Sequence, residues 1–109
     1  MLEKVKRIRL SDDDLDTLIF CFKKHFLKED RLWIFGSRVD LDKRGGDIDL
    51  YAETYAIDPA VAIKMRNKFL CDLEDRIGEQ KIDLVLNLIN HPYPLPIHEI
   101  AKKKGIRII

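Results

Sequence analysis

The chain has 109 residues, of which 46% are hydrophobic and 36% are charged, a composition typical of a folded protein rather than a disordered one. Its 20 Lys and Arg residues nearly balance 19 Asp and Glu residues, so it lacks the basic excess that marks many nucleic-acid-binding proteins. No apolar run approaches the roughly 20 residues of a membrane-spanning helix, and we expect one domain over residues 1–109 with no membrane segment.

The first predicted element is a helix that begins at Ser11. Ser11 can cap the helix, and the three aspartates that follow it favour the positive end of the helix dipole. Apolar residues then recur at helical spacing, which predicts one buried stripe: Leu15, Leu18, Ile19, Phe22 and Phe26. The helix is expected to end near residues 28–30. Residues 32–35 are short, apolar and aromatic and predict a buried strand that Gly36 ends.

Two further strands are predicted on either side of a second helix. Residues 47–52 alternate acidic and apolar side chains, which indicates a strand with one open face. Asp58 can cap the helix, Pro59 suits its first turn, and Gly78 ends it. Residues 82–88 alternate again and predict the third strand.

The connections between these strands predict the fold class. About eleven residues separate the first two strands, so they are expected to be antiparallel if adjacent, whereas the intervening helix favours a parallel crossover to the third. Beyond a proline-rich extended stretch, residues 97–104 predict a short helix and residues 106–109 a terminal strand. The predicted class is α/β (α+β), with a small mixed β-sheet flanked by helices.

The turn after the first strand has the residues of a phosphate-binding loop. Gly36 has no side chain and lets a phosphate approach the backbone closely. Ser37 offers a hydroxyl and a backbone N–H group. Arg38 adds a cation that can hold phosphate oxygens, although a surface ion pair explains it equally well. We predict that these three residues bind a nucleoside triphosphate.

Three carboxylates are predicted to lie near this turn. Asp47 and Asp49 are two residues apart on one strand, which places both on one face roughly 6.6 Å apart. Asp83 has the same orientation on the third strand, so the three converge if the strands are neighbours. Such a cluster is stabilised by a cation, and oxygen ligands without His or Cys select Mg²⁺ or Mn²⁺. The alternative is a solvated strand face without a metal.

These segments resemble a known family. Residues 34–38, 46–50 and 82–85 are similar to the signature of the DNA polymerase β-like nucleotidyltransferase superfamily, and the small size resembles its minimal nucleotidyltransferase (MNT) branch. The resemblance implies the polymerase β-like fold, with ATP as substrate and two Mg²⁺ ions as cofactors.

The resemblance also implies the roles of individual residues. Gly36 and Ser37 would hold the triphosphate, and Asp47 and Asp49 would ligate the metal ions. Asp83 would complete the metal site and help to activate the incoming hydroxyl. These three aspartates are therefore the predicted catalytic residues.

Small MNT proteins are commonly encoded beside a HEPN-domain ribonuclease, with which they form a toxin–antitoxin system. The resemblance implies a cytoplasmic antitoxin that transfers AMP from ATP to a tyrosine of the HEPN toxin (AMPylation). Because so small a domain has little room to enclose a large acceptor, we expect it to act as an oligomer or hetero-complex, without direct nucleic-acid binding. Two alternatives are a catalytically weak module that neutralises its partner by occlusion and a small-molecule nucleotidyltransferase subunit.

Overall fold

A computed structural model of the chain describes residues 10–35, 48–78, 80–90 and 96–109. These residues form, in chain order, α1 (Asp12–His25), β1 (Arg31–Phe35), β2 (Ile48–Thr54), α2 (Pro59–Ile77), β3 (Ile82–Leu88), α3 (Pro96–Lys104) and β4 (Ile106–Arg107). Within these ranges, no helix is both long enough and apolar enough to cross a membrane.

The described strands form one sheet in the order β3-β2-β1-β4. β1 pairs antiparallel with β2 and with β4, whereas β2 pairs parallel with β3. The parallel pair follows from the connection, because the 19-residue helix α2 gives the chain enough length to cross over the sheet. The predicted α/β class with a small mixed sheet flanked by helices is confirmed.

Local capping confirms the predicted starts of both long helices and the predicted end of α2. The Ser11 side chain accepts a hydrogen bond from the backbone N–H of Asp14, and Asp58 accepts one from that of Ala60. Gly78 follows α2 with a φ of 87°, a left-handed conformation that favours glycine and ends the helix. α1 ends three residues earlier than the predicted boundary, and β2 extends two residues beyond it.

The two faces of the sheet are covered differently. One face packs against α1 and α2 around a core that includes Phe22, Phe69 and Leu50. On the other face, Trp33 and Tyr51 pack against Ala101 of α3, a helix of only nine residues. Among the residues that the structure describes, the cover on this second face is therefore shorter than that on the first.

Asp30 joins the turn before β1 to the end of β2. It is 2% exposed and accepts hydrogen bonds from the backbone N–H groups of Leu27 and Tyr55, each at 2.9 Å, and from the Thr54 hydroxyl at 2.7 Å. Asp30→Ala would leave three donors without this acceptor, and we expect a loss of about 2–3 kcal/mol in the free energy of unfolding. Urea denaturation measures this loss in the free energy of unfolding. Asp30→Asn retains one acceptor oxygen and should lose less; equal losses would contradict this explanation.

Asp72 on α2 joins the two long helices electrostatically. Its carboxylate accepts from Arg76 Nε and His25 Nε2, both at 2.8 Å, and Lys24 Nζ lies 3.6 Å away. The hydrogen bond from Arg76 is the main cause that holds the pKa of this carboxyl well below its usual range, and the hydrogen bond from His25 is the second.

A stability test at low pH follows from this pKa. A carboxyl that is more acidic in the folded than in the unfolded state stabilises the fold above the unfolded pKa of about 4, and this contribution is lost as the pH falls. The melting temperature of wild type should therefore exceed that of Asp72→Asn near neutral pH, and the difference should shrink between about pH 5 and about pH 3. If the difference in melting temperature between wild type and Asp72→Asn stayed constant with pH, the ion pairs of Asp72 would not be its cause.

Candidate active site

The structure places two of the six predicted site residues side by side. Asp49 on β2 and Asp83 on β3 are register partners in adjacent parallel strands, whose backbones lie about 4.8 Å apart. The other four predicted residues, Gly36, Ser37, Arg38 and Asp47, lie outside the described residues.

The strand alternation predicted from sequence explains how Asp49 is oriented. Its neighbours Ile48 and Leu50 are buried in the core beneath α1 and α2. Because successive side chains of a strand point to opposite faces, Asp49 lies on the other face, together with Tyr51. Asp49 is half-buried and Asp83 is exposed, so the pair lies at the surface of the sheet.

The position of β1 relates this pair to the predicted phosphate loop. Phe35, the last residue of β1, is the register partner of Asp49. Gly36 is the next residue of the chain. The predicted loop therefore starts at the end of the sheet where Asp49 and Asp83 lie.

The donor atoms of the Asp49–Asp83 pair are of the type that binds a hard divalent cation. Two adjacent carboxylates supply oxygen ligands, which Mg²⁺ and Mn²⁺ prefer. In the part of the chain that the structure describes, no three His, Cys, Asp or Glu side chains come together as a metal site. The third predicted ligand, Asp47, is not in that part, so the full triad stays a prediction.

A second group of polar residues lies farther along the same face. Strand alternation places its members from β2 and β3 on that face, but no sequence motif marks the group as a whole. We call it the β2–α3 polar cluster, and it consists of Tyr51, Glu53, Asn87, His98 and Lys102. The Tyr51 hydroxyl donates to Glu53 Oε2 at 2.8 Å and accepts from Asn87 Nδ2 at 3.1 Å. Lys102 Nζ lies 3.2 Å from the same Glu53 oxygen. Only the period-two alternation of β2 and β3 could have placed Glu53 and Asn87 on the face of Asp49.

The interior members of this cluster are well buried. Tyr51 is fully buried and Glu53 is 7% exposed. Burial is the main cause that raises the pKa of the Tyr51 phenol, so this hydroxyl stays protonated and can donate to Glu53. The His98 ring packs 5.5 Å from the Tyr51 ring, centroid to centroid. The buried Glu53 carboxylate needs partners such as the Tyr51 hydroxyl and the Lys102 ammonium, because an unpaired charge is costly away from water.

The β2–α3 polar cluster lines a cavity of about 190 Å³, to which Ile89 and Glu99 also contribute. A cavity of about 380 Å³ lies elsewhere, lined in part by Phe22, Lys28 and Ile109. Among the residues that the structure describes, neither cavity is lined by a predicted site residue. The smaller one shares the sheet face of Asp49 and Asp83 through Tyr51, Glu53 and Asn87.

Comparison of the chain with models of known protein families gives no match. Comparison with curated protein sequences likewise finds no relative. The argument for function therefore depends on the residues themselves and on the geometry of the sheet.

Proposed function

We propose that the protein is a Mg²⁺-dependent nucleotidyltransferase that transfers AMP from ATP to a hydroxyl group. The observation that carries this proposal is the register pairing of Asp49 with Asp83 at the end of the sheet where Gly36 follows β1. A carboxylate pair together with the predicted Gly-Ser phosphate-binding loop suits a substrate that brings both phosphates and divalent cations.

The reaction is an in-line displacement at the α-phosphorus of ATP. The acceptor oxygen forms a bond to this phosphorus, the bond to the oxygen that bridges the α- and β-phosphates breaks, and pyrophosphate leaves with that bonding pair. The acceptor hydroxyl loses its proton to a carboxylate, for which exposed Asp83 is the candidate.

Asp49 and Asp83, with Asp47, are the residues that would hold the metal ions. When bound, Mg²⁺ supplies Lewis-acid stabilisation of the negative charge on the phosphate oxygens. Gly36, Ser37 and Arg38 would orient the triphosphate, which in turn aligns the α-phosphorus with the acceptor.

For the acceptor, we propose a tyrosine of a HEPN-family ribonuclease, which would make the protein the antitoxin of a toxin–antitoxin system. The support is the resemblance of the motif to MNT proteins. The test is to incubate the protein with labelled ATP, Mg²⁺ or Mn²⁺, and the folded product of the adjacent gene. Label on a tyrosine of that product is the expected result, and no transfer with either metal would contradict the proposal.

A second candidate function is neutralisation of the partner by occlusion. It is favoured by apolar side chains exposed between β2 and the first turns of α2, where Ile57 is 76% exposed and Val61 and Ile63 are also exposed. These residues are close in sequence, and exposed apolar patches are typical of protein–protein contact surfaces. The two functions are separated by the aspartate substitutions described in the Discussion.

A further inference from the structure

We infer that the edge strand β3 pairs with β3 of a second copy of this chain, antiparallel about a twofold axis at Val85, so that the two four-stranded sheets become one. Each copy would thereby cover the exposed edge of the other. This contact surface is independent of the proposed nucleotidyl transfer and stands whether or not AMP is transferred.

Four residues of β3 direct their backbone hydrogen-bonding groups away from the sheet. Before β3, the Lys81 carbonyl accepts from the Ile48 N–H at 3.0 Å, and after it the Ile89 N–H donates to the Thr54 carbonyl at 3.0 Å. Odd-numbered residues of β3 therefore bond to β2, because successive residues of a strand direct these groups to alternate sides. The even-numbered residues direct theirs outward: Ile82, Leu84, Leu86 and Leu88. Among the residues that the structure describes, no strand pairs with this outer side.

The two edges of the sheet differ in how well they are protected against pairing. β4 has only two residues, and one of them is the exposed Arg107. Short length and charge are common ways in which proteins protect an edge. β3 has seven residues without Lys, Arg or Pro, and its register with β2 continues without a bulge from Ile82 to Leu88. A long, regular and mostly apolar edge favours pairing with another strand.

The apolar side chains of β3 are less completely covered than those of β2. Leu84 and Leu86 pack on the core beneath the two long helices, as do their register partners Leu50 and Ala52. Leu50 and Ala52 are fully buried, whereas Leu84 and Leu86 are only partly buried. A neighbouring strand would remove the remaining apolar surface from water, which is the main favourable term in protein association.

One register of the two β3 strands uses their whole length. With Val85 on the twofold axis, Leu84 of each copy lies opposite Leu86 of the other, and Ile82 lies opposite Leu88. All four residues carry outward backbone groups, so each of these pairs exchanges two hydrogen bonds, about eight across the interface. Any shift in register leaves one end of β3 without a partner.

The charged face of β3 favours the same register. Asp83 lies opposite Asn87 of the second copy, in a pair whose Cα atoms are about 4.5 Å apart because no backbone hydrogen bonds join it. One N–H of the Asn87 amide donates to Tyr51, and the other can donate to the Asp83 carboxylate. Two aspartates opposite each other would repel instead. β3 is thus complementary to itself, which favours a second copy over an unrelated strand.

The flank of α2 next to β3 adds apolar surface to this interface. α2 contacts α1 through Asp72, which bonds to His25. At 100° per residue, Leu70 and Ile77 lie on the opposite flank, where both are partly buried against the core. The twofold axis is perpendicular to the sheet, so α2 of both copies lies on the same side of the joined sheet and these flanks face each other.

The first test is sedimentation equilibrium of the full chain up to about 1 mM, with amide hydrogen exchange measured by NMR. We expect the mass to rise with concentration from 12.8 kDa toward twice that value. The backbone amides of Leu84 and Leu86 should exchange at least about tenfold more slowly in the dimer than in the monomer. A constant monomer mass would overturn the inference, as would a dimer in which these two amides are unprotected. Protection of both amides in a monomer would also overturn it, since the edge would then be covered from within the same chain.

The second test changes the charge at position 87. Asn87→Asp places a carboxylate opposite Asp83 in both copies, so the dissociation constant of the dimer should rise at least about fivefold. Asn87→Lys places an ammonium there and should lower the constant by about the same factor. Asp83→Asn combined with Asn87→Asp restores a carboxylate–amide pair, and the constant should return to within about twofold of the wild-type value.

The double variant separates the contact between copies from a local effect on the fold. Within one chain, residues 83 and 87 are roughly 13 Å apart along β3, so Asp83→Asn does not relieve repulsion between Asn87→Asp and the neighbouring Glu53. Failure of the double variant to restore the dimer would overturn the inference, as would equal dissociation constants in Asn87→Asp and Asn87→Lys. Asp75→Asn, at an exposed residue of α2, is the control and should leave the constant unchanged.

Discussion

Asp49→Asn and Asp83→Asn are each expected to reduce AMP transfer by at least about 10²–10³-fold, the usual loss when one electrostatic group of an active site is removed. Asparagine keeps the size of the side chain but loses the negative charge that holds a divalent cation. The rate of label transfer from ATP to the partner protein measures the effect. Both residues lie at the surface of the sheet, so circular dichroism and the melting temperature should change little.

A matched control is Asp75→Asn, an equally conservative change at an exposed residue of α2, the helix on the opposite face of the sheet. Its transfer rate should equal that of wild type. The same panel separates catalysis from occlusion: if Asp49→Asn binds the partner and silences it as well as wild type does, neutralisation does not depend on transfer. Wild-type transfer rates in both site variants would rule out the carboxylate site.

Phe69→Ala is expected to cause the largest loss of stability, about 3–5 kcal/mol in the free energy of unfolding. Phe69 on α2 is fully buried, and its ring makes edge contacts with Phe22 and Phe26 at centroid distances of 5.6 and 5.7 Å. Truncation removes these contacts and leaves a cavity between the two long helices and the sheet. Urea denaturation monitored by circular dichroism at equal protein concentration measures the loss.

Ile63→Ala on the same helix is the control, because Ile63 is 46% exposed and lies outside the core cluster. Its effect should be within about 0.5 kcal/mol of zero. If Ile63→Ala lowered the free energy of unfolding as much as Phe69→Ala does, the Ile63 side of α2 would be part of a packed interior and not a solvent-facing surface.

Much of the architecture could be predicted from local patterns. Ser11 and Asp58 cap their helices as their side-chain chemistry predicts, and Gly78 ends α2 because it tolerates a positive φ. The period-two alternation around Asp49 correctly assigned its neighbours to the core. Connection lengths then predicted the antiparallel and parallel pairs. These features depend on short-range steric and hydrogen-bonding preferences, which a sequence displays directly.

The sequence also supplied the motif on which the functional proposal depends. Gly36-Ser37 and the three aspartates suggest phosphate and metal binding by their residue types and spacing. Gly36, Ser37, Arg38 and Asp47 lie outside the described residues, so their arrangement around a nucleotide stays a prediction, whereas the structure establishes that Asp49 and Asp83 are neighbours.

Other features were decided only by the tertiary structure. Strand alternation places Glu53 on the face of Asp49, but it does not reveal that Lys102, 49 positions away in the chain, lies 3.2 Å from its carboxylate. Nor does it reveal that α3 covers this end of the sheet and encloses a cavity. Contacts between residues distant in sequence depend on how the whole sheet and its helices pack, and no local periodicity encodes that arrangement. The local patterns and connection lengths of this chain thus predicted its fold class, and its motifs suggested its candidate chemistry. The register of β2 with β3 and the docking of α3 decided which side chains meet.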